Sequence, residues 1–204
     1  IYYKLSRDKG KLSRIGIVAP GSAALRPGII ALYTAAPAAA LCAACLERGG
    51  IPTYDLLKFA ERICVDISAA IIEELLFRGV LLLGILGHTK IKTAGAVTIS
   101  AGLFAAAHLM NLFAGGGLLY TLSQTVFAFC AGICLGALAV RTKSIIPAVI
   151  LHMTVNLSSI IIETPAMSGA GIETAAICAL AILYLATGLL LLRKQTTKER
   201  KFIT

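Results

Sequence analysis

Apolar and polar positions divide the chain into six apolar stretches separated by short polar, basic or Gly/Pro-rich connections. The stretches run over about 28–46, 63–85, 94–113, 118–140, 145–163 and 172–192. Each holds roughly 19–23 residues, which at about 1.5 Å per residue spans a hydrocarbon core of about 30 Å. None shows the period-two alternation of a barrel strand, and backbone in lipid must satisfy its own hydrogen bonds. The pattern predicts an all-α fold: a polytopic transmembrane helical bundle of about six spans. A basic juxtamembrane segment, 1–27, precedes a single transmembrane domain, 28–192, and a basic tail, 193–204, follows it. No internal repeat or second domain is visible.

The connections fit this division. Gly49, Gly50 and Pro52 break the chain after the first span, and 55–62 reads as a short amphipathic helix leading into the second. Gly115-Gly116-Gly117 closes the third span. Pro147 falls in the first turn of the fifth, where a missing N–H is tolerated.

Composition sharpens the class. The chain is 58% hydrophobic and 14% charged, against about 45–50% and about 25% in a soluble domain. The net charge of +9 sits at span ends rather than in a stripe with interleaved aromatics. That argues against a nucleic-acid partner and for a topology signal. Of the 19 basic residues, all but Arg48, Lys58, Arg62 and the intraspan Arg78 fall on one side of the bundle. Both termini are therefore expected in the cytoplasm, with the protein multi-pass in a plasma membrane. Nothing before Gly28 has the layout of a signal peptide. The six cysteines, Cys42, Cys45, Cys64, Cys130, Cys134 and Cys178, lie in or beside apolar runs and read as small buried hydrophobes.

Three spans carry groups that are expensive in lipid. The second holds Glu73, Glu74 and Arg78, the third Phe104 and His108, the fifth His152 and Asn156. Glu74 and Arg78 are four apart and can pair on one helix face; Glu73 is turned about 100° away. The fourth and sixth spans have nothing comparable, so the polar groups should face one another across the bundle. Counted from the predicted cytoplasmic ends, Glu73, His108 and Asn156 lie about 18, 21 and 16 Å deep, near one plane.

That set suits proton transfer. Glu73 can take a proton from water while His108 orients the water. His152 and Asn156 can hold a developing oxyanion. Glu73, His108 and His152 can equally supply three zinc ligands with one position open, although the His-Glu-x-x-His helix of zinc proteases is absent. The same residues also suit an ion path in a transporter, or a binding or immunity protein without turnover.

Glu-Glu-x-x-x-Arg (Glu73, Glu74, Arg78), Phe-x-x-x-His (Phe104, His108) and His-x-x-x-Asn (His152, Asn156), in this order on three helices, resemble the CPBP family, the CAAX proteases and bacteriocin-processing enzymes also called Abi proteins. The resemblance covers about 60–160, and the short chain is similar to the bacterial branch. It implies an intramembrane endopeptidase acting on membrane-associated peptides or bacteriocin or pheromone precursors, without a cofactor. It also implies that Glu73 and His108 activate water, that His152 and Asn156 form the oxyanion site, and that Glu74, Arg78 and Phe104 support it.

Overall fold

The computed structural model describes residues 15–19, 56–162 and 170–193. The expected first span, most of the basic N-terminal segment and most of the tail lie outside them. Among the described residues every regular element is helical. The elements are α1 (Leu56–Glu74), a π-helical stretch (Leu75–Leu82), α2 (Leu83–His88), α3 (Thr93–His108) with a 3-10 turn (Leu109–Leu112), α4 (Leu118–Thr142), α5 (Ile146–Ile162) and α6 (Ala170–Arg193).

The helix carrying the double glutamate is longer than its apolar stretch. The expected lead-in helix merges with it, so α1, the π stretch and α2 form one rod from Leu56 to His88. Apolar length gives no reason to stop at residue 63, and nothing between Leu56 and Ile63 breaks a helix.

Helix α4 is the centre. Most of the run from Cys130 to Ala139 is buried, and it packs against α3 on one side and α6 on the other, while α1 pairs with α5. Small residues make this possible. A Cβ on Gly132 would stand 3.0 Å from the Ala101 Cβ, and one on Gly188 would stand 2.9 Å from the Cys134 nitrogen. Backbones thus approach closely where side chains are absent, the usual device for joining helices in lipid.

Many large apolar side chains point outward, among them Ile72, Val80, Leu103, Val126, Ile182 and Leu190. Thr93–Leu112 and Leu118–Thr142 are each long and apolar enough to cross a membrane, and Ile146–Ser158 and Ile177–Arg193 are shorter apolar segments. The second stretch reaches the same length but carries Glu73, Glu74 and Arg78.

Residues 15–19 form a turn against the bundle. The Ile145 N–H donates to the Gly16 carbonyl at 2.9 Å, and the Ser144 hydroxyl donates to the Val18 carbonyl at 2.6 Å. A Cβ on Gly79 would meet the Ile15 carbonyl oxygen at 2.8 Å, so glycine there lets the segment lie against the π stretch.

Candidate active site

The two adjacent glutamates have different surroundings. Glu74 is fully buried and accepts from the Arg78 Nη1 at 2.6 Å. The same oxygen, Oε1, takes the His152 Nδ1–H at 2.9 Å. Glu73, on the neighbouring face, keeps 34% of its side chain exposed and lines a cavity. Its Oε2 lies 3.6 Å from the His152 Nε2, beyond hydrogen-bond reach. One imidazole therefore faces both carboxylates, anchored on the buried one.

Arg78 is held from three sides. Besides Glu74, its Nη2 donates to the Gly132 carbonyl at 3.4 Å, and its guanidinium carbon lies 4.4 Å from the centre of the Phe104 ring. A buried charge needs such partners, because its desolvation would otherwise exceed what one ion pair returns. The π stretch that carries Arg78 is also tied to α3, since the Ser100 hydroxyl donates to the Phe77 carbonyl at 2.8 Å.

Phe104 is the hub. Its ring meets those of Phe77, His108 and His152 edge to face, with centroids 5.2, 4.9 and 5.7 Å away. Aromatic edges against a ring face, with a cation over it, are favourable contacts. The one-turn spacing of Phe104 and His108 thus sets both histidines against one ring. His108 Nδ1 lies 3.0 Å from the Phe104 carbonyl; donation there leaves Nε2 as the acceptor.

The cavity has a volume of about 510 Å³ and is lined by Glu73, His108, His152 and Asn156 together. All four expected catalytic residues share it. Glu73 and His152 face each other directly, whereas His108 joins them through Phe104. Asn156 donates to the Asp66 carbonyl of α1 at 3.2 Å. Glu73, His108 and His152 share the wall, but no three His, Cys, Asp or Glu side chains among the described residues gather into a metal-binding group.

A family model described as Type II CAAX prenyl endopeptidase Rce1-like matches residues 56–158. The chain belongs to this family. No curated protein and no solved structure matches it. The match begins with α1 and ends within α5, so it contains Glu73, Glu74, Arg78, Phe104, His108, His152 and Asn156. The Rce1-like family is a protease family, and with its apolar helices the chain is a membrane protein.

Besides these groups of the second, third and fifth spans, the cavity draws on the fourth and sixth. Tyr120, Ser123 and Gln124 of α4 and Tyr184 of α6 also line the cavity, as does Asn111 of the 3-10 turn. Asn111 and Gln124 are joined by a 2.7 Å hydrogen bond. Gln124 was legible as a carboxamide in an apolar run, a signal of a bundle-facing group. His152 contacting Glu74, as well as facing Glu73, had no counterpart in any spacing, because the residues lie 78 positions apart.

Proposed function

We propose that this chain is an intramembrane endopeptidase of the bacterial plasma membrane, with six spans and both termini in the cytoplasm. It hydrolyses a peptide bond in membrane-associated peptides, such as bacteriocin or pheromone precursors, by direct attack of water. The observation that carries this reading is the asymmetry of the glutamates. Glu74 is sealed between Arg78 and His152, while Glu73 opens onto a cavity shared with His108 and Asn156.

In the proposed reaction Glu73 takes a proton from a water molecule that the His108 Nε2 orients. The hydroxide forms a bond to the scissile carbonyl carbon. His152, its Nδ1–H anchored on Glu74, faces the resulting oxyanion, and Asn156 donates to it. The carbon–nitrogen bond then breaks, and the proton held by Glu73 passes to the leaving amine. Glu74 and Arg78 balance charge and hold His152. The reading requires no metal.

The test compares new peptide termini by mass spectrometry in membranes holding wild-type protein or Glu73→Ala, with and without a chelator. Termini seen only with wild type, and unchanged by the chelator, are the expected result. Identical termini in both membranes would overturn catalysis by Glu73, and termini lost on chelation would overturn its metal independence.

A further inference from the structure

The cavity has a second polar spot away from Glu73. Asn111, on the 3-10 turn after His108, and Gln124, on α4, both line it, half-buried, and the Asn111 Nδ2 donates to the Gln124 Oε1 at 2.7 Å. A carboxamide has an acceptor oxygen and an NH₂ group. Joining two of them uses the oxygen of one and an N–H of the other. With Asn111 donating, the pair keeps the Asn111 carbonyl oxygen and the Gln124 NH₂ group, which make no other side-chain bond among the described residues.

An extended peptide offers the complement of that remainder. The N–H and C=O of a single strand residue point to the same side, as when two antiparallel residues exchange both hydrogen bonds. We infer that Asn111 and Gln124 form a main-chain clamp for an extended peptide substrate, accepting from one residue's N–H and donating to its C=O. This inference rests on the endopeptidase reading and adds a binding subsite to it.

The clamp's position follows from the helix. Asn111 is three residues beyond His108, about 6 Å along a 3-10 rise of about 2.0 Å. That is roughly two residues of extended chain at about 3.3 Å each. The gripped residue therefore lies about two positions from the cleaved bond. A main-chain contact ignores side-chain identity but needs the N–H. The subsite accepts most residues and rejects proline, which lacks that donor.

The probe is a pool of internally quenched peptides in detergent micelles, with Leu, Ile, Val or Phe on both sides of the central bond. Single N-methyl groups are walked along the backbone. With wild-type protein, one position about two residues from the cleaved bond should raise KM about fivefold, the loss of one net hydrogen bond. In Asn111→Leu that position-specific effect disappears, and in Gln124→Met the unmodified peptide shows a similar rise, falling on KM rather than kcat. An N-methyl walk without a position-specific loss in wild type overturns the clamp while leaving the protease reading intact, and it needs no variant to fold. An effect that persists unchanged in a folded Asn111→Leu also overturns it. If wild-type protein cleaves no more of the pool than Glu73→Gln, the protease reading fails and the clamp fails with it.

Discussion

A residue is defined here by what its neighbours leave it free to do. Glu73 and Glu74 are chemically identical and adjacent, yet only Glu74 has Arg78 at 2.6 Å and His152 at 2.9 Å. Arg78→Ala should strand Glu74 as a buried carboxylate without its cation and lower stability by about 3–5 kcal/mol. A melt in detergent measures this, and Glu74→Gln combined with Arg78→Leu should recover part of the loss, because it removes both charges. An Arg78→Ala protein that melts like wild type would show that the pair does not hold the fold. Phe104 gives a second case. Phe104→Leu keeps an apolar side chain but removes the ring under Arg78 and beside both histidines. It should destabilise by about 1–2 kcal/mol and depress peptide turnover more than that loss explains. Stability and turnover both equal to wild type would refute the hub.

At the scale of elements, α4 decides how closely the helices meet. Gly132 lets Ala101 approach and also offers its carbonyl to Arg78. Gly132→Ala would put a methyl 3.0 Å from the Ala101 Cβ and 3.1 Å from its Cα, backbone-anchored atoms that cannot swing aside. The expected loss is about 1–3 kcal/mol, read as a lower melting temperature, and an unchanged melt would mean that α3 yields freely. The helices themselves were legible, since apolar runs of about 20 residues leave lipid-compatible backbone few alternatives. The predicted spans at 94–113 and 118–140 match α3 with its 3-10 turn and α4 to within two residues. The π stretch was not legible. Leu75–Leu82 is as apolar as an α-helical span. Ser100 at the Phe77 carbonyl and Ile15 beside Gly79, which pack against that stretch, are remote in sequence. The Asn111–Gln124 pair was missed for a related reason, because its two halves flank the glycine turn at 115–117 and meet only when α4 folds back.

At the scale of the whole molecule, the charge bias carries an expectation about sidedness that the packing makes testable. Charge bias assigns the N-terminal segment and the connection near Arg141 and Lys143 to the same side of the membrane. The Ile145 N–H and Ser144 hydroxyl bond to the Gly16 and Val18 carbonyls, which fixes the 15–19 turn beside that same connection. The turn after α3 lies at the opposite end, one length of α4 away. At about 1.5 Å per residue the 25 residues of α4 rise about 38 Å, more than a hydrocarbon core of about 30 Å. Single cysteines placed at Ile17, Lys143 and Phe113, in a background with the six native cysteines changed to alanine, test this with a membrane-impermeant maleimide. Ile17→Cys and Lys143→Cys should label from one face of sealed vesicles and Phe113→Cys, whose parent side chain is 86% exposed, from the other. Labelling of the first two from opposite faces would separate the 15–19 turn from the 141–145 connection. Labelling of all three from one face would mean that α4 does not cross the bilayer, and the cavity would then open to water rather than lie at membrane depth.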